Sequence, residues 1–189
     1  AKIHIILQFY RKDFFIMKRI IALTLALMLL LTLASCGKKE EAVTPYEGTL
    51  EELVNKIYEI HMPEFSVAPA MPVDIADPGV VNYYFGLQNG DNLTEAVWAE
   101  TMFGSQPYSM CIARVKEGAD MAAIKQEIFD NMDMRKWMCV SADHMIVGDA
   151  RDLVIMVMVG NDFGGSEMTN ALYNAFVSVV GNAGEKLEK

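Results

Sequence analysis

Basic side chains are scarce where most of this chain lies. From Cys36 onward there are 11 Lys and Arg against 24 Asp and Glu, a net of −13, although the whole chain sums to −9. A body so short of bases has little with which to neutralise phosphate, and nucleic acid is not expected as a partner. It is also repelled by anionic lipid, so membrane contact has to come from an anchor rather than a basic face. Cysteine is scarce too: beyond Cys36 only Cys111 and Cys139 remain, enough for one bridge at most and not for a disulfide framework. Histidine stops at three, and His61 and His144 each stand alone in their segments. The apolar run Ile20 to Leu33 is fourteen residues long, short of the roughly 20 that a membrane-spanning helix needs. There is no Gly-x-Ser-x-Gly elbow, no phosphate-loop lysine and no zinc-ligand spacing, which removes the readily recognised hydrolase, nucleotide and zinc chemistries.

With 189 residues, 52% of them hydrophobic and 22% charged, the chain is sized for one globular domain and a short appendage. Residues 1–16 mix apolar runs with Arg11-Lys12-Asp13 and read as an upstream, non-native extension ahead of a start at Met17. Residues 17–35 have the parts of a secretory signal: Lys18-Arg19, the apolar run, then small residues. The sequence Leu33-Ala34-Ser35-Cys36-Gly37 resembles the lipobox of bacterial lipoprotein precursors. The resemblance implies that the Cys36 thiol receives a diacylglyceryl group and that a dedicated signal peptidase cuts between Ser35 and Cys36. It places the mature chain on the extracytoplasmic face of the bacterial cell membrane, held there by lipid on Cys36. Two acyl chains make such attachment durable, where one chain would be marginal. Residues 36–48 then read as a lipidated flexible tether and 49–189 as a single domain. From Gly37 to Gly48 the tether would reach about 40 Å fully stretched.

Within the body, Thr49-Leu50-Glu51-Glu52 has the form of a capping box, and Leu53, Val54 and Ile57 share its helix face, which predicts a helix over about 50–61. Four prolines between His61 and Pro78 rule out a continued helix there. Val80 to Phe85, β-branched and aromatic, predicts a short strand. Strands are expected at about 95–103 and 107–115, with Tyr108, Met110 and Ile112 on one face and Ser109, Cys111 and Ala113 on the other. Asp120 caps a helix over about 121–133, and a hairpin follows around Gly148 to Arg151. Leu153 to Val159 is apolar at every position, as a strand covered on both faces requires, and is expected in the middle of the sheet. Ser166 is expected to cap a last helix that Gly181 ends. These elements predict an α+β fold, a two-layer sandwich of a mainly antiparallel sheet with helices on one face. The stretch Ala113-Arg114-Val115-Lys116-Glu117-Gly118-Ala119-Asp120, with Arg151-Asp152-Leu153-Val154-Ile155 later, resembles a family of short uncharacterised lipoproteins of Gram-positive anaerobes. That likeness supports the lipoprotein reading and carries no chemistry.

Other candidates have plainer explanations. The loop Gly160 to Ser166 joins a strand to a helix as a phosphate loop would, but it has no lysine and Asp162 would repel phosphate, so a turn is expected. Its Asp162-Phe163-Gly164 triplet stands without any other kinase motif. Cys139, Asp143 and His144 match no metal-ligand spacing, and no metal site is expected. Met132, Met134, Met138, Met156 and Met158 form thioether pairs of the kind that hold Cu(I), with core filling as the simpler role. Tyr83, Tyr84, Trp98, Tyr108 and Trp137 are candidates for a stacking groove. The reading is a membrane-anchored, non-catalytic module that binds protein, peptide or glycan and uses no cofactor. Its rivals are an enzyme acting on envelope material and a methionine-based Cu(I) binder. Cys36 is the lipidation site, Ser35 and Cys36 flank the cut, and no catalytic residue is assigned.

Overall fold

The computed structural model describes residues 44–189, so Ser35, Cys36 and the signal segment lie outside the described residues. The body is α+β, with four helices and a six-stranded, open antiparallel sheet. Helix α1 spans Leu50–Ile60, and the Thr49 side chain accepts a hydrogen bond from the Glu52 amide, as the capping box predicts. Strand β1 (Met71–Pro72) is short, as a proline within it favours, and is followed by α2 (Pro78–Phe85). Then come β2 (Leu93–Glu100), β3 (Tyr108–Val115) and α3 (Met121–Asn131), the last capped by Asp120. The hairpin β4 (His144–Ala150) and β5 (Leu153–Val159) precedes α4 (Gly165–Val180) and the terminal β6 (Leu187–Glu188).

The strand order is β1-β2-β3-β5-β4-β6, which puts the wholly apolar β5 beside β3 at the centre, as its composition predicts. Both faces of β5 are used. Leu153, Ile155, Val157 and Val159 pack with Leu53 and Ile57 of α1 and with Leu172 and Phe176 of α4. Val154, Met156 and Met158 pack with Val81 and Phe85 of α2 and with Ile124 and Ile128 of α3. Helices therefore cover both faces and the layers number three, which corrects the expected one-faced arrangement. The reason is visible in β3 as well: its smaller face, with Cys111 and Ala113, is fully buried because α2 and α3 fill what those small side chains leave open.

Three local expectations are also corrected. Val80–Phe85 is helical, because Asp77 accepts hydrogen bonds from the Gly79 and Val80 amides, Pro78 starts the first turn, and Gly86 ends the helix at φ 69°. Capping outweighs the β propensity of Val, Tyr and Phe here. The Gly86 conformation is needed sterically, since a Cβ there would meet the Met132 backbone at 2.7 Å. Ser166 does not cap α4; the chain turns through Gly164 at φ 102°, with no side-chain cap. Finally, the expected tether ends earlier than Gly48. Tyr46 is buried in the core, its amide donates to Asp152 at 2.7 Å, and Arg114 donates to the carbonyls of Tyr46 and Gly48.

Candidate functional site

The antiparallel register gives the sheet two distinct ends. At one, β3 finishes at Val115 and the β4–β5 hairpin turns through Arg151 and Asp152. This end holds the N-terminal arm. The Arg114 guanidinium bonds Glu95 at 2.7 Å, Asp152 at 2.5 Å and the two carbonyls of the arm at 3.0 Å each. Arg151 adds a bond to the Val180 carbonyl and another to that of Thr44. Burial opposes the Arg114 charge, but the hydrogen bonds to Glu95 and Asp152 outweigh it and push its pKa up.

At the opposite end lie Glu100, Tyr108, Val159 and His144, with the loops that join these strands to their neighbours. Here Lys136 is buried, its side chain 3% exposed, against Glu100 at 2.5 Å and Ser109 at 3.3 Å. Its ammonium lies 4.6 Å from the Tyr83 ring centre, 5.1 Å from Tyr84 and 5.5 Å from Trp137, and Trp98 stacks on Tyr84 at 5.2 Å. Ring faces attract a cation most strongly where water is excluded. Three of the five aromatics proposed for a groove thus form a cage that the chain's own lysine fills, and a fourth, Trp98, backs it through Tyr84. Tyr108 is on the other face, under α1, sharing a 2.8 Å hydroxyl contact with Tyr58. Lys136 and Glu100 are not singled out by any sequence motif; the available signal is a charged residue at the end of a strand whose neighbouring positions turn inward.

Beside this end is a cleft of about 520 Å³ lined by His61, Met62, Phe65, Phe163 and Met168 together with the carboxylates Glu64, Asp162 and Glu167. The apolar wall is firm: Phe65 packs edge-on against both Tyr108 and Phe163. The lining contains no hydroxyl, thiol or amine nucleophile. Of the seven exposed large apolar residues among the described ones, Ile60, Met62, Met102, Phe103 and Met138 belong to segments at this end, while Met71 lies on the edge strand β1 and Tyr83 on α2.

No family model matches the chain, and no curated protein or solved structure matches it either.

The remaining candidates are scattered. His144 contacts Thr169 at 2.6 Å through Nδ1 and Glu188 at 3.1 Å through Nε2, joining β4, α4 and β6. Asp143 accepts from the Asn161 amide, and Cys139 is exposed, so these two and His144 do not converge. Among the described residues no group of His, Cys, Asp and Glu is arranged to hold a metal ion. Met132, Met156 and Met158 are packed in the core beneath α2 and α3 with Met134 partly buried against them, while Met138 stands apart, 83% exposed. The loop Gly160 to Ser166 folds as a single 3-10 turn over Asn161–Phe163, and the Asp162 carboxylate contributes to the cleft.

Cys111 and Cys139 are both free thiols. Burial pushes the Cys111 pKa up to about 12; nearby Lys136 opposes this and Glu100 adds to it. We expect a disulfide-exchange reagent at pH 8 to modify Cys139 in the folded protein and to reach Cys111 only in denaturant. Rapid modification of both thiols in the native state would contradict the described packing. Because the native state holds the Cys111 proton more tightly than the unfolded chain, this contribution is fully present below about pH 9 and is lost as pH rises toward 12. Tyr58, raised to about 12 by burial, acts with the same sign.

Proposed function

We propose that this chain is a lipid-anchored extracytoplasmic module that binds a ligand at the end of its sheet opposite the clasp on its N-terminal arm. The polarity of the body carries the reading. The described chain begins in the Arg114–Asp152 clasp at one end, while the cleft and five of the seven exposed large apolar residues occupy the other. Seven residues, Gly37 to Val43, separate Cys36 from the clasped arm, a span of at most about 25 Å. A seven-residue strand such as β5 spans roughly 20 Å, so the loop end stands off from the clasp by a comparable distance. Exposed apolar groups gathered at one end of an otherwise strongly acidic body are characteristic of an interaction surface.

A photo-crosslinking residue at Met102 or Phe103 tests this in cells. We expect a discrete protein, peptide or glycan adduct from these positions and none from Glu117, which lies just beyond Val115 at the clasp end. Lipid adducts from Met102, or equal adducts from both ends, would contradict the reading.

A further inference from the structure

We infer that the cleft takes a basic, partly apolar peptide segment, with a lysine or arginine head between Glu64, Asp162 and Glu167 and its aliphatic stem against Met62, Phe65, Phe163 and Met168. This inference rests on the assignment of the loop end as the binding end and names the ligand class for it.

Charge complementarity selects the occupant. The cleft is lined by three carboxylates and no Lys or Arg. None of the three carboxylates has a salt-bridge partner among the described residues. The N-terminus of α4 also opens here, but its partial positive charge is about half a unit and is outweighed by three carboxylates. An anionic or phosphorylated ligand would therefore meet net repulsion, strengthened by the charge of the whole body. The apolar wall distinguishes a peptide from a free polyamine. Lysine and arginine lay long methylene stems along apolar surface while keeping the charge outside it. Phe65 and Phe163 hold such a surface rigidly, 5.6 Å apart and edge to face, and Met62 adds an exposed thioether chain to the same lining. Elsewhere in the molecule the ammonium of Lys136 rests between a carboxylate and aromatic rings, so this body already solves the same recognition problem internally.

The test uses the mature lipidated protein in non-ionic detergent and a peptide of about twelve residues built from Lys-Ala-Leu repeats, followed by calorimetry or fluorescence anisotropy. We expect saturable binding that weakens with salt, and no binding of the same peptide with every lysine replaced by glutamine. Combining Glu64→Gln, Asp162→Asn and Glu167→Gln should weaken it about ten-fold. Neutralising three acids distant from the cleft, by Glu47→Gln, Glu51→Gln and Glu117→Gln, should change it less than about two-fold, since screening limits such distant charges. Met62→Ser should weaken the peptide about three-fold and leave spermidine unaffected. An equal loss from the two triple variants, or spermidine binding as tightly as the peptide, overturns the inference. No peptide binding alongside a discrete Met102 adduct in cells overturns the ligand class while leaving the proposed function standing.

Discussion

Replacing Lys136 with alanine is expected to destabilise the body by about 3–5 kcal/mol, because it strands a carboxylate in a site built around a cation. Glu100 and Ser109 are both buried, and after the change Glu100 keeps only the Ser109 hydroxyl as a donor. The rings of Tyr83, Tyr84 and Trp137 lose the charge they surround. Measured by urea denaturation, such a loss is a large part of the roughly 5–15 kcal/mol that a domain usually has, and it corresponds to roughly 6–20 °C in melting temperature. Pairing Lys136→Met with Glu100→Gln should recover much of the loss, since a buried ion pair replaced as a unit leaves no uncompensated charge. A Lys136→Ala protein as stable as the parent would show that the cage holds no tightly bound cation. Near-additive losses in the paired variant would show that the two residues act independently.

The second large effect concerns the anchor. Changing Cys36 to alanine removes the only thiol in the stretch that resembles the lipobox, and no other side chain there can form the thioether. We expect metabolic fatty-acid labelling to fall from full to background and the peptide bond after Ser35 to stay uncut in the variant. With no diacylglyceryl group, the two-chain attachment is lost altogether rather than weakened. The acidic body offers no electrostatic substitute, since basic clusters are what hold proteins to anionic lipid. Normal labelling of the alanine variant would contradict the assignment of Cys36.

Periodicity makes the backbone of this fold legible. The unbroken apolar run Leu153 to Val159 identifies the central strand, and the Thr49 and Asp120 caps locate two helices. The same run already implies cover on both sides, but small residues such as Cys111 and Ala113 on one face of β3 point to a lighter second face. Only tertiary packing shows α2 and α3 filling it. Val80 to Phe85 misleads because its side chains favour strands while Asp77, Pro78 and Gly86 form the stops of a helix, and short elements are decided by their caps.

Less of the candidate site can be read from sequence. Glu64, Asp162 and Glu167 come from two segments nearly a hundred residues apart, and in so acidic a chain no single carboxylate stands out. Four of the five aromatics grouped by residue type do come together, but type alone does not reveal their occupant, because the pairing of Lys136 with Glu100 joins a loop to a distant strand end. Arg114 and Asp152 lie far apart in the sequence; in the fold they form the clasp on the N-terminal arm, which gives a physical reason for the pair.

The proposal of an anchored module with its binding end opposite the clasped arm depends first on Cys36. Intact mass spectrometry of the mature protein from bacterial membranes tests it most directly. An N-terminal residue that is Cys36 bearing a diacylglyceryl group is the predicted result. A mature protein whose peptides run unmodified through Ser35 and Cys36 would contradict it.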